Sequence, residues 1–165
     1  MRRKLAFLEV AVAVVIAVLA LSTSAQAADN GIVASATGAG HITIGGELRT
    51  FSFTAQKDSS NNSRGQAELF NRSGGIRVHL DINCLSVVGN VATMSGTVSN
   101  SNATGEPFGT GNPIWFQVVD NGEGQNAPPD LISLVFFFFG PPGVPCTSPL
   151  VPASIPIDGG NIQVH

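Results

Sequence analysis

Gly75-Ile76-Arg77-Val78-His79-Leu80-Asp81-Ile82-Asn83-Cys84 alternates apolar and polar side chains without a break. A side-chain period of two belongs to an extended strand, because successive Cβ atoms leave opposite faces of the backbone. Ile76, Val78, Leu80, Ile82 and Cys84 share one face, while Arg77, His79, Asp81 and Asn83 share the other. A strand with one buried and one wet side is the unit of an antiparallel sheet. The same parity predicts that Cys84 points into the core.

Shorter runs of this kind lie on both sides. His41–Ile44 ends at Gly45-Gly46, and Arg49–Ala55 sets Phe51 and Phe53 against Thr50, Ser52 and Thr54. Gln66–Phe70 stops at Asn71-Arg72-Ser73-Gly74-Gly75. Leu85–Val88 and Val91–Val98 are joined by Gly89-Asn90, a connection suited to a tight hairpin. Ile114–Val119 carries Trp115 and Phe116, Leu131–Phe139 is apolar on both faces, and Asn161–Val164 closes the chain. No stretch after the N-terminal segment keeps a helical apolar period over three turns. Together these runs predict an all-β chain, an antiparallel β-sandwich or a partly closed β-barrel of about eight or nine strands.

Two segments break the rhythm. Residues 99–113 are polar and rich in Gly and Asn, as a loop would be. All ten prolines lie between Pro107 and Pro156, six of them within 140–158, so this stretch reads as an extended strap pinned by Cys146. The run Phe136–Phe139 reads as a central strand, covered by a second sheet on one face and by the strap on the other. A contact between copies of the chain is the other use for such a run, so the sequence is compatible with a monomer or a homo-oligomer through the Phe136–Phe139 strand.

The N-terminus follows a different logic. Met1-Arg2-Arg3-Lys4 precedes an apolar stretch to Leu21, and small residues end in Ala25-Gln26-Ala27. Glu9 interrupts that stretch, leaving Val10–Leu21, shorter than the roughly 20 apolar residues a membrane span needs. The pattern predicts a signal helix cleaved after Ala27, no stable span afterwards, and a secreted or cell-envelope destination. The expected plan is signal peptide 1–27, flexible lead-in 28–38 and a single all-β domain over 39–165. Beyond residue 27 the chain carries five basic and ten acidic residues, a formal charge of −5. Nucleic acid needs a basic surface to neutralise phosphate, so it is excluded as a partner, and an anionic membrane surface is disfavoured likewise. Cys84 and Cys146, an even pair in an exported chain, predict one disulfide. Neither has a CxxC neighbour or an adjacent His that would favour a metal or catalytic role.

The densest group of oxygen ligands is Asp120-Asn121-Gly122-Glu123-Gly124-Gln125-Asn126 with Asp130. Asp120, Glu123 and Asp130 on a Gly-rich loop form a calcium candidate, since calcium takes several oxygen ligands. The spacing is not that of an EF-hand, because Gly122 and Gly124 stand where ligand side chains belong, and Asp-Asn-Gly is also good turn chemistry. His79 and Asp81 lie two residues apart on one strand face without a visible third partner. No Gly-x-Ser-x-Gly elbow, phosphate loop, dinucleotide fingerprint or zinc motif occurs, so no catalytic residue is assigned. Asn61, Asn71 and Asn102 head N-x-S/T triplets, which mark glycan acceptors only in a eukaryotic secretory chain. The expectation is a binding or structural module with an extracellular or cell-envelope ligand. The rival is a carbohydrate-active or other hydrolase using surface carboxylates such as Glu68 and Asp81.

Four motifs recur in order: Arg49-Thr50-Phe51-Ser52-Phe53; Gly65-Gln66-Ala67-Glu68-Leu69-Phe70; Asp120-Asn121-Gly122-Glu123 with Asp130-x-Ile132-Ser133-Leu134; and Gly159-Gly160-Asn161-Ile162-Gln163-Val164-His165. In this order they resemble the small all-β modules of secreted bacterial proteins called post-COAP modules, over about residues 38–165. The resemblance implies an exported all-β module and brings no activity or catalytic residue with it. The two cysteines and the Phe136–Phe139 run are not part of it.

Overall fold

Among the described residues every regular element is a strand. The computed structural model describes residues 31–124, 126–138, 145–147 and 151–165. Ten strands follow one another: β1 (Ile32–Ile44), β2 (Glu47–Asp58), β3 (Ser63–Asn71), β4 (Ile76–Val88), β5 (Val91–Ser101), β6 (Pro113–Val119), β7 (Leu131–Ile132), β8 (Phe136–Phe137), β9 (Ile155–Pro156) and β10 (Gly159–Val164). All pairings are antiparallel. They form one curled, half-barrel sheet in the order β10-β1-β2-β3-β4-β5-β6-β7-β9, with β8 attached to β6. The expected all-β, partly closed architecture is what the chain adopts, with ten strands among the described residues rather than eight or nine, β7, β8 and β9 being only two residues long. The signal segment 1–27 with its cleavage site at Ala27, residues 28–30 and Phe139 lie outside the described residues.

The curl brings opposite walls together. Phe53 on β2 meets Phe116 on β6 edge to face across the interior, with ring centroids 5.8 Å apart. Around them pack Leu80 and Leu85 of β4, Met94 of β5, Ile114 and Val118 of β6 and Ile162 of β10, all at most 1 % exposed. A single turn of chain links the sheet's two ends, since β9 pairs with β7 while β10, two residues later, pairs with β1.

Three expectations are corrected. Residues 32–38, expected within a flexible lead-in, are the first half of β1 and pair with both β2 and β10. Their small side chains hide the strand because they are partners for bulk opposite: Gly38 faces Phe53 and Gly40 faces Phe51. A Cβ at Gly38 would lie 2.6 Å from the Phe53 ring. The rings of Phe51 and Phe53 cover the bare glycine backbone, the aromatic rescue of glycine known in sheets.

Cys84 is not on the core face either. Ile82 pairs with Gly96 and Cys84 with the preceding Ser95, so Asn83 is an extra residue, a β-bulge. The bulge flips the parity: Leu85, 1 % exposed, takes the core position, and Cys84 emerges half-buried on the outer face. There it bonds Cys146, with Cα atoms 5.7 Å apart. The predicted disulfide exists, but outside the barrel.

The run 131–138 is not one central strand. Ser133–Val135 interrupts it, leaving β7 and β8, and β8 has β6 as its only sheet partner among the described residues. Both faces are nonetheless used. Phe136 packs on Trp115 at 5.9 Å between centroids, and Phe137 packs on Phe108 at 5.0 Å. The described parts of the proline-rich strap meet the outer face of the sheet, Cys146 at Cys84 of β4 and Ala153 at Gln117 of β6. Cys146 is buried there, and the Ala153 N–H donates to Gln117 Oε1 over 2.9 Å.

Candidate functional site

Inward-facing residues of β1–β4 leave a gap where the sheet meets the segment 132–137. The result is a cavity of about 320 Å³. Its apolar wall comes from Ile42, Phe51, Leu69 and Val78 on the strands, closed by Val135 and Phe137. The local cause is the break after β7: a continuous strand would run along β6, whereas Ser133–Val135 departs from it and lines the space instead. Ser133 makes the departure tolerable, because its Oγ accepts the Gln117 N–H and donates to the Leu134 carbonyl.

One edge of the cavity is polar. Arg49 and Asn71 line it, and Glu47 joins them: Arg49 Nη2 donates to Glu47 Oε2 over 3.0 Å, and Asn71 Nδ2 donates to the same oxygen over 3.0 Å. The bond from Arg49, then that from Asn71, holds the Glu47 carboxyl below the usual carboxylate range. The group is therefore charged at neutral pH, and this support is lost as pH falls through its lowered value. Asn71 Oδ1 in turn accepts the Ser73 and Gly74 N–H groups, so the triad rests on the turn after β3. Among the described residues Arg49 Nε, a covered atom of a part-exposed side chain, has no hydrogen-bond partner. The lowered Asp58 carboxyl belongs to a different place, the turn after β2, where it accepts the Asn62 and Ser60 N–H groups.

The acidic residues singled out for calcium sit elsewhere, at the seam of the half-barrel. Asp130 is 6 % exposed; its Oδ1 accepts the Asn121 N–H and its Oδ2 accepts the Ile162 N–H, both over 2.8 Å. Asp120 does the same with Gly122 and Val164, over 2.8 and 3.0 Å. The N–H groups of Ile162 and Val164 point away from β1, so the two carboxylates stand in for the missing strand neighbour of β10. Glu123 lies on the exposed loop between them. Among the described residues no three His, Cys, Asp or Glu side chains converge as a metal site.

The other candidates lie on the outer face. Glu68 pairs with His79 across β3 and β4, its carboxylate 3.5 Å from His79 Nδ1 and 3.6 Å from Arg77 Nε. Asp81, opposite Gln66, is exposed on the same face, and neither carboxylate reaches the cavity. Phe70 lies between two guanidinium groups, Arg77 at 4.8 Å and Arg72 at 5.4 Å from its ring centre. Asn71 and Asn102 have their amides committed, the latter between the Arg77 N–H and the Gly75 carbonyl, while Asn61 sits in the exposed β2–β3 turn.

The cavity was not read from the sequence. Its lining comes from six separated segments, and only Arg49, a charged residue at a core-parity position of β2, signalled it. Among the described residues no helix is long and apolar enough to cross a membrane. No protein-family model, curated protein or solved structure matches the chain.

Proposed function

We propose that the chain is an exported binding module that holds a small, mainly apolar ligand in the cavity between β1–β4 and the segment 132–137. The observation that carries this reading is the cavity itself. Small-molecule sites are concave spaces lined mainly by apolar side chains with a few polar groups at one edge. A lined space of about 320 Å³ at the end of an otherwise filled half-barrel falls at the lower end of small-molecule sites, which span roughly 300–1,000 Å³. Export is supported by the N-terminal pattern before Ala28, by the likeness to post-COAP modules, and by a disulfide, which persists in oxidising compartments.

The test is saturable binding of N-phenyl-1-naphthylamine, a neutral dye that brightens in apolar surroundings. The purified protein is expected to bind it with one site, and Leu69→Trp, which fills the cavity, to abolish the signal. Leu134→Trp obstructs the lining from an exposed position and should weaken binding at least tenfold without disturbing the core. A dye signal that is absent, or unchanged in both folded variants, overturns the reading.

A further inference from the structure

We propose that the outer face of β2–β5 carries a second site, a shallow groove for an oligosaccharide with one acidic sugar, whose carboxylate or sulfate is held by Arg72 and Arg77. It is independent of the inner cavity. Two depressions that share His79 make the groove. Phe70, Arg77, Asn100 and Asn102 line the first, and Ser52, Thr54, Gln66 and Glu68 continue it into the second. Strand register explains the arrangement. Thr50, Phe70 and Arg77 form one row across the sheet, and Ser52, Glu68, His79 and Asn100 form the next. Neighbouring strands lie about 4.8 Å apart, so the four strands present about 14 Å of polar surface.

Charge points to the anion. Beyond residue 27 the chain has five basic side chains against ten acidic ones, yet two of the five meet at one ring. Arg77 lies 4.8 Å and Arg72 5.4 Å from the centre of Phe70. Glu68 answers only Arg77, 3.6 Å from its Nε, and Arg72 has no ion-pair partner among the described residues. No carboxylate lines the first depression. Arg77 is also held in place, because its backbone N–H donates to Asn102 Oδ1 over 2.7 Å and its guanidinium rests on Phe70. A fork fixed before binding loses little freedom on meeting an oxyanion, and its planar donors match one. Beyond this basic end the exposed side chains Ser52, Thr54, Gln66 and Asn100 offer hydroxyl and amide groups. Sugar hydroxyls both donate and accept, so they suit such a lining, and Glu68 adds an acceptor. Glu68 also limits the ligand to one acidic sugar, since a second anion above it would be repelled.

The test is an oligosaccharide array that sets uronate-, sialate- and sulfate-bearing members beside their neutral counterparts. The purified protein is expected to retain acidic members at least tenfold better than the matched neutral ones, the scale of a hydrogen bond to a charged group. The array itself tells carboxylate from sulfate. Arg77→Gln should remove that preference, and Arg72→Gln should reduce it severalfold. Gln66→Leu should weaken acidic and neutral members alike. N-phenyl-1-naphthylamine binding and far-ultraviolet circular dichroism should stay unchanged in all three variants, which separates this site from the cavity and from loss of folding. Equal retention of neutral members, no retention of any member, or a preference that survives Arg72→Gln with Arg77→Gln overturns the inference. Competition by hexaglutamate as effective as that by the best acidic oligosaccharide also overturns it, because the face would then read charge alone. Each of these results leaves the cavity reading to its own test.

Discussion

Asp130 is buried, and backbone N–H groups replace the hydrogen bonds it would make with water. Asp130→Asn keeps the shape but leaves one acceptor for two donors and turns an amide N–H₂ toward the other. An unmet buried donor costs about 1–3 kcal/mol, so the variant should lose about 2 kcal/mol in urea unfolding, and Asp130→Ala about 4 kcal/mol with both donors orphaned. Asp120→Asn should cost less, because Asp120 is only half-buried. Calcium and EDTA should leave the unfolding midpoint of the unaltered protein in place; a calcium-dependent midpoint abolished by Asp130→Asn would make these residues metal ligands instead. The cluster stood out in the sequence, but its role did not. Two of the four donors that consume it, the Ile162 and Val164 N–H groups, lie 32 residues after Asp130 and 44 after Asp120, beyond the reach of any local motif.

β4 shows how far an alternating pattern carries. From Ile76 to Ile82 the even-numbered residues face inward as the sequence implies, and then Asn83 shifts the count by one. Polar and apolar residues still alternate through Asn83 itself, and the only local mark of the bulge is the adjacent pair Cys84-Leu85, so the inward assignment of Cys84 fails there. A second trace is on the neighbouring strand. Gly96 pairs with Ile82, and a Cβ at that position would fall 1.8 Å from the Asp81 carbonyl oxygen. The glycine admits the close backbone approach that the bulged strand makes, a recurrent use of glycine within strands. The same limit applies to β1, whose alanines and glycines are too small to register as a core face, and to 131–138, where uniform apolarity conceals the break at Ser133–Val135. Deleting Asn83 removes the extra residue and leaves Ile82–Gly96, Cys84–Ser95 and Leu85–Met94 as a regular ladder. Cys84 would then still face outward and Leu85 inward, and Cys146 on the outer face would keep its partner. The deletion variant should therefore show no titratable thiol after denaturation without reductant, as the unaltered protein does. Two free thiols in a folded deletion variant would contradict the parity argument.

Across the whole molecule the outer face carries a second, smaller core, bordered by the described parts of the strap, 145–147 and 151–153. Cys84, Ser95, Trp115 and Phe136 form one row across β4, β5, β6 and β8. The strap is fastened to this face twice, by the disulfide at Cys84 and by the Ala153 N–H on Gln117 of β6. Gln117 is itself fixed, its Nε2 donating to Thr93 Oγ1 over 3.1 Å. Trp115 lies in the row between the two fastenings and is fully buried, although its side chain leaves the face opposite the main core. Its indole is the only one in the chain, so its fluorescence reports this region alone. Cutting the disulfide opens a loop closed over 62 residues, worth about 4 kcal/mol by chain entropy and less where the reduced state keeps structure. The inner core does not use the bridge, so the sheet should survive reduction while the strap loosens. Under native conditions, Cys84→Ser with Cys146→Ser should red-shift Trp115 emission and raise its quenching by acrylamide severalfold. Far-ultraviolet circular dichroism should stay that of the intact sheet. Quenching equal to that of the bridged protein would mean that the segment 145–153 holds its place through Gln117 without the bridge. Loss of the far-ultraviolet signal would mean that the half-barrel cannot stand without its outer clasp.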